Sequence, residues 1–392
     1  MDAPADGGVL TPLTAGGAVF NTASVPATSI DAVLPAISDA FGETPLALLI
    51  LLFPRSLGAE GMAAAADAYF PGTTVIGCTT AGEIAGGYVS DTVLAIGLPR
   101  ENFVASVRTI EGIGSLDRTG IASAILTARM EVAAVEDGWP GMFAMLLVDG
   151  MSLGEDQLVS AITPALGAIP MFGGSAGDGI AFERTFVLSA GRAYQDAAVI
   201  ALVKSRCPLH VFRFDHFRPT RERMVVTAAD PARRLVSEIN AEPAAVEYAR
   251  IIGIDPGELT PFTFAAHPVV VRLGGHHHVR AIQKVEPNGD LRFFSAIDEG
   301  LVLRTADPLD MAEHLEAALT CLARPVKPAA IIGCDCILRR LEAEQRQVTR
   351  AVSDVLKRHG VVGFSTYGEQ HNGLHVNQTF TGVAFYPPEM RR

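Results

Sequence analysis

Three stretches of this chain share one order of apolar and polar positions. Each opens with a nearly unbroken apolar run, at 46–53, 143–148 and 329–332. A segment with helical spacing follows, near 58–69, 155–166 and 339–358. Next come a second short strand, a glycine turn and a returning apolar strand at 92–98, 197–203 or 380–386. Runs that are apolar at consecutive positions belong to strands covered on both faces, as in α/β layers. A strand–helix–strand crossover of this length is parallel and right-handed. The strand after a glycine turn is free to return antiparallel. The pattern therefore predicts an α/β fold: mixed sheets built from repeated β-α-β-β units, in two halves.

The glycine turns repeat in detail. Val75-Ile76-Gly77-Cys78-Thr79-Thr80-Ala81-Gly82-Glu83 matches Val361-Val362-Gly363-Phe364-Ser365-Thr366-Tyr367-Gly368-Glu369. Met171-Phe172-Gly173-Gly174-Ser175-Ala176-Gly177-Asp178 is a shorter third copy. Glycine permits positive φ and close backbone approach, and turns at strand ends of α/β layers are where ligands bind. Thr80, Gly82, Glu83, Ser175, Asp178, Thr366 and Glu369 are thus candidate ligand-binding residues. The competing reading is that the glycines shape turns and the carboxylates cap nearby N–H groups.

Between the repeats, 119–137 reads as a helix. Asp307 and Pro308 read as the start of another that runs through Cys321, with proline in the first turn. Residues 268–305 read as a β-meander inserted in the C-terminal half, with Asn288-Gly289 as a hairpin turn. A domain boundary falls at 221–230.

The formal charge of −12, from 31 basic and 43 acidic residues, leaves no basic footprint for nucleic acid. The acidic start of the chain lacks the basic region of a signal peptide. The longest apolar run, eight residues, is too short to cross a bilayer. Five sparse cysteines form no disulfide framework and suit a reducing cytoplasm. There is no phosphate loop and no H-E-x-x-H, so a non-catalytic protein is expected.

Ten histidines concentrate in the C-terminal half. His276-His277-His278 resembles a metal tract, but alternate strand residues face opposite sides, and a plain strand surface is the better reading. His371 and His375 differ. They follow the third glycine turn, whereas the first copy carries no histidine at 84–91. Divergence of one copy is what a ligand or cofactor site requires. His267, before Pro268, ranks after them.

These motifs resemble those of the FIST family of bacterial sensory proteins. The resemblance is carried by 77–83 and 173–178, then by His267-Pro268, Val279-Arg280, Cys336-Ile337-Leu338-Arg339, Tyr367-Gly368-Glu369 and Asn377-Gln378-Thr379. It implies a FIST N-terminal domain over 15–225 and a FIST C-terminal domain over 226–390. Residues 367–370 with 375–379 resemble the haem-binding, nitric-oxide-sensing (NosP-type) subfamily most closely. The resemblance implies haem as cofactor, with His375, then His371, then His267 as iron ligand. It also implies a cytoplasmic sensor that regulates a separate sensor histidine kinase or a cyclic-di-GMP enzyme. Nucleic acid and membrane insertion are not expected, and a homodimer is left open. The alternative is a haem-free module that binds a small amino-acid-like ligand between the glycine turns.

Overall fold

The computed structural model describes residues 19–135, 138–273 and 276–388. Its body is one unit used three times. The first unit runs through strand Asn21–Pro26, helix Ile30–Phe41, strand Leu46–Phe53, helix Ala59–Tyr69 and strand Thr74–Thr79. It ends with the short hairpin Glu83–Ala85/Tyr88–Val89 and strand Thr92–Pro99. The second unit repeats this order from Phe103–Glu111 to Ala197–Ser205, and the third from Leu209–Phe214 to Phe380–Phe385. Each unit thus has a leading strand and helix beyond the expected β-α-β-β core.

The sheets are mixed, as the pattern predicts. In each, the apolar run pairs parallel with the motif strand, and the returning strand pairs antiparallel. The units exchange hairpins cyclically. The hairpin of unit one joins the sheet of unit three, that of unit three joins unit two, and that of unit two joins unit one.

The apolar runs explain the layering. Leu48, Ile50 and Leu52 face a core shared by all three sheets, with Phe143, Met145, Ile332 and Phe364. Leu49, Leu51 and Phe53 face the unit's own helices. The motif glycine is required at this packing. A Cβ on Gly77 would lie 2.3 Å from the Leu51 carbonyl oxygen of the parallel neighbour. On Gly173 and Gly363 it would lie 1.9 and 1.8 Å from those of Leu146 and Gly333.

The insertion is larger than the expected meander. It spans 217–308, between the first strand of unit three and its helix, and forms an eight-stranded sheet. Strands Phe217–Asp230 and Leu235–Ile239 belong to it, with helices Ala244–Ile252 and Pro261–Ala266. Asp307 and Pro308 do not start a helix. They close strand Val302–Pro308, where Pro308 is registered against Phe217, and Asp310 caps helix Met311–Leu322 by accepting from the Glu313 N–H. The expected helix over 339–358 is two, Ile337–Gln345 and Thr349–Arg358, broken where Gln347 turns left-handed at φ 58°. The helix expected at 119–137 is Arg118–Ala133, capped by Asp117; residue 137 lies outside the described residues. Among the described residues, no helix is long and apolar enough to cross a membrane.

Candidate functional site

The three glycine turns form a ring. Ala81 N–H donates to Ser365 O (3.0 Å), and Ser365 N–H to Gly82 O (2.7 Å). Ser175 N–H donates to Gly368 O (2.8 Å), and Tyr367 N–H to Ser175 O (3.1 Å). Gly177 N–H donates to Thr79 O (2.9 Å). The sequence candidates are therefore neighbours, but they play different parts.

Glu83 and Glu369 turn inward, in register with Phe364 and Gly174, and are fully buried. Glu83 shares a hydrogen bond of 2.5 Å with Thr80, and Glu369 shares one with Thr366. The second Glu369 oxygen accepts from Thr379 N–H (3.2 Å) and Oγ1 (2.6 Å). Burial pushes both carboxyls up to about 8, so they are neutral at pH 7. Asp178 is saturated: it accepts the N–H groups of Phe182, Glu183 and Arg184 and the Tyr367 hydroxyl, and it lies 3.5 Å from Arg55. Gly82 makes room for Arg340, whose Nη1 would be 1.9 Å from a Cβ there.

Each exchanged hairpin also presents one cross-strand pair to the outer, helix-covered side of its host sheet. The three pairs differ in chemistry. Leu188 and Ala193 fill their junction with apolar side chains against helix Ala59–Tyr69. At the second junction, the pair is Ile84 and Tyr88. The Tyr88 hydroxyl donates to Asp335, which accepts from Arg339 Nε at 2.6 Å. Arg339 Nη1 donates to His216 Nδ1 (2.6 Å), and His216 Nε2 donates to Glu342 (2.9 Å). Burial, reinforced by Arg339, pushes His216 down to about 2, so it is neutral and both ring nitrogens are used. Burial lifts Glu342 to about 7. This junction is polar but closed on itself.

The third junction holds Gln370 and His375 as the pair. Gln370 Nε2 donates to Ser175 Oγ (3.0 Å) and lies 3.3 Å from His375 Nδ1. Glu155, in the first turn of helix Glu155–Leu166, pairs with Arg234 of the insertion. Arg280, at the end of strand His276–Arg280, reaches the His375 carbonyl at 3.4 Å. Among the described residues it has no ion pair, and burial lowers its pKa. His375 is 3% exposed, and burial lowers its pKa too, so the imidazole is neutral. Several atoms here are buried without partners: His375 Nε2, Gln370 Oε1, both amide atoms of Asn377, and Arg280 Nε. A Cβ on Gly368 would lie 2.5 Å from His375 Cε1 and 2.9 Å from Asn377 Nδ2, so glycine keeps those side chains together. The polar surplus mixes donors and acceptors around a guanidinium. That arrangement suits a small ligand bearing a carboxylate.

The other histidines are not part of this cluster. His371 is registered with Leu374 rather than His375, so it faces the opposite side of the sheet. Burial, with Arg213 and His210, pushes it down to about 4. His267 is exposed at the end of helix Pro261–Ala266. His277 and His278 alternate sides, as expected of a strand. Among the described residues, no group of three His, Cys, Asp or Glu could hold a metal ion. Sequence reasoning missed Gln370, Asn377, Arg280, Glu155 and Arg234 as site residues. The 279–280 and 377–379 motifs contained two of them, whereas nothing local links Glu155 to Arg234, 79 residues away.

The arrangement is that of a three-unit scaffold with a closed polar site beneath an inserted domain. The FIST N domain model matches residues 47–242, and the FIST C domain model matches 244–372. The chain belongs to the FIST family, whose domains are sensory, signalling domains that bind small ligands. A comparison with curated proteins finds no match. Among solved structures, a cyanuric acid hydrolase from A. caulinodans aligns over 94% of this chain and 99% of its own, at 10% identity and a TM-score of 0.36. At that distance it carries no argument about activity.

Proposed function

We propose that the chain is a non-catalytic sensory module whose ligand is a small carboxylate-bearing metabolite, held at the third junction. The carrying observation is the gathering at one junction of five unpartnered buried side-chain atoms, on Gln370, His375, Asn377 and Arg280. Arg280 would take the carboxylate, His375 Nε2 would donate, and Gln370 Oε1 and Asn377 would complete the shell. Arg280 and Arg234 come from the insertion, and the remaining side chains from the body. Occupancy would therefore bias how the insertion seats on the glycine turns, by as much as the ligand's affinity differs between two seatings. That surface change is what a partner in trans, a sensor histidine kinase or a cyclic-di-GMP enzyme, would read. The test is thermal unfolding against a panel of small carboxylates and amino acids. A hit at a hundredfold excess over its Kd adds about 2.7 kcal/mol. Wild-type protein should respond to a member of the panel and Arg280→Gln should not. No response across the panel, or an equal response in the variant, sinks the reading.

One observation favours the haem and nitric oxide reading: His375 is a buried, neutral imidazole whose Nε2 has no partner. A neutral histidine is the usual proximal ligand of haem iron. The surroundings do not fit a porphyrin, however. A Cβ on Gly368 would lie 3.0 Å from Nε2 and 2.9 Å from Asn377 Nδ2, so backbone stands close to the ring nitrogen, and the neighbouring side chains are polar. With the Gln370 amide donating to Nδ1, the ring proton also sits on Nε2. The two readings separate by spectroscopy. A Soret band after haem reconstitution, altered by nitric oxide and lost in His375→Ala, would displace the metabolite reading.

A further inference from the structure

A second feature lies on the inserted sheet, away from the junction and independent of what binds there. Strands Phe217–Asp230, Val302–Pro308, Val269–Leu273 and His276–Arg280 are consecutive neighbours. Their register sets Arg223 directly opposite Arg304 and Arg272 directly opposite His277. Arg304 shares a face with Val270, two residues before Arg272, so all four side chains stand on one face. Val225 and Val302, a cross-strand pair on the same face, are 38% and 46% exposed. Closer to the body this face is apolar and covered, with Val270, Val279 and Ala306 packed among Ile337, Leu338 and Leu341. The arginines stand where the face emerges.

Like charges directly opposite in a sheet oppose each other. A chain with 43 acidic and 31 basic residues could readily have answered them. Yet among the described residues none of Arg223, Arg272 and Arg304 is in an ion pair, and Arg223 and Arg272 are exposed. The field is felt locally. Burial, then Arg304 and Arg272, hold the His277 pKa down, with Asp215 opposing them. Isolated surface arginines are ordinary; three on neighbouring strands of one face, without ion pairs and beside an exposed valine pair, make a surface with a missing counterpart.

We propose that this arginine ladder docks an acidic, valine-compatible segment of a partner protein. The complementary segment is extended, with carboxylates against Arg223, Arg304 and Arg272 and small apolar residues against Val225 and Val302. The net charge of −12 keeps nucleic acid away, so the attraction is local and short-ranged.

The test uses the full chain and a fluorescein-labelled peptide of alternating Glu and Val, read by fluorescence anisotropy. The peptide should bind, and binding should weaken as salt rises. The double variant R223Q/R304Q should lose about tenfold or more in affinity. R350Q, which removes an exposed arginine on helix Thr349–Arg358, should bind as wild type does. Melting by circular dichroism should show the double variant folded, because it removes a repulsion. Four results would overturn the proposal: no binding of the peptide, equal binding of a Gln–Val peptide, unchanged affinity in R223Q/R304Q, or tighter binding of a DNA duplex. Self-association of the wild type that R223Q/R304Q abolishes would also overturn it, by assigning the face to a second copy of the chain.

Discussion

The buried pair Glu83 and Glu369 makes stability depend on pH in a direction opposite to that of most carboxylates. Both carboxyls are held up to about 8 by burial, against an ordinary value of 4.5. In the unfolded chain they are ionised at neutral pH; in the folded chain each keeps its proton. Folding therefore takes up protons, and the stability these groups contribute is complete below pH 4.5 and lost as pH rises toward about 8. The slope is about −1.4 kcal/mol per pH unit for each group while it is fully protonated when folded and ionised when unfolded. For the pair, roughly 2 kcal/mol should disappear between about pH 7 and pH 8. Glu342, lifted to about 7, adds to the lower end of this window. Histidines with lowered pKa values, His216 at about 2 and His371 at about 4, act in the opposite sense, and mainly below the ordinary histidine value of 6.5.

The perturbation is Glu369→Gln, alone and with Glu83→Gln. Gln copies the neutral acid: its carbonyl can accept from Thr379, and its amide can donate to Thr366. The assay is urea unfolding followed by circular dichroism at several pH values from about 7 to 8. Wild type should lose midpoint steadily. Glu369→Gln should have about half that slope, and the double variant should be nearly flat. A flat wild-type profile, or an unchanged slope in Glu369→Gln, would refute the assignment of neutral carboxyls to the ring.

Three further outcomes follow from the same geometry. Gly368→Ala places a Cβ 2.5 Å from His375 Cε1; it should cost about 1–3 kcal/mol in urea unfolding and abolish the response to any ligand of the third junction. Tyr367→Phe removes the hydroxyl that bonds Asp178 and accepts the N–H groups of Asp178 and Phe182; about 1–3 kcal/mol should be lost, with faster amide exchange over 178–184. Arg339→Met leaves Asp335 and His216 without their buried partner; it should destabilise by about 3–5 kcal/mol, and adding Asp335→Asn should recover part of that.

The repeated layers were legible because their cause is local. Residues 46–53 must be apolar on two faces, and Gly77, Gly173 and Gly363 must lack a Cβ against the next strand. The exchange of hairpins was not legible, since Glu83–Ala85 pairs with a strand almost 280 residues away and either sheet edge satisfies its pattern equally. Asp307-Pro308 carried a sound helix-start signature, but Pro308 also suits a strand end, and Asp310 offered a better cap. No glycine or proline marks the break at Gln347; packing decides it, because Ile337, Leu338 and Leu341 pack against the insertion while Val352, Val355 and Leu356 pack on the unit's own sheet. The site divides the same way. His375 stood out because its sibling turn lacks histidine, whereas Asp178, chosen as a ligand acceptor, has its oxygens taken by the 182–184 loop and Tyr367, and Glu83 is a neutral buried acid held by Thr80.

Comparison of the junctions supplies the reason to look for a ligand at only one of them. All three have the same backbone plan, so differences in side-chain chemistry are not forced by the fold. At one, Leu188 and Ala193 complete an apolar layer. At another, Tyr88, Asp335, Arg339, His216 and Glu342 form a chain in which each member has a partner. At the third, His375, Gln370, Asn377 and Arg280 keep unpartnered buried atoms. Each such atom costs about 1–3 kcal/mol if nothing answers it, and several together rival the total stability of a typical domain, about 5–15 kcal/mol. A scaffold that has shown, twice, how to close this junction has no structural reason to leave the third one open. The open junction is also the one touched by both Arg234 and Arg280 of the insertion, so the place with unmet hydrogen bonds is the place where binding can be felt outside the body.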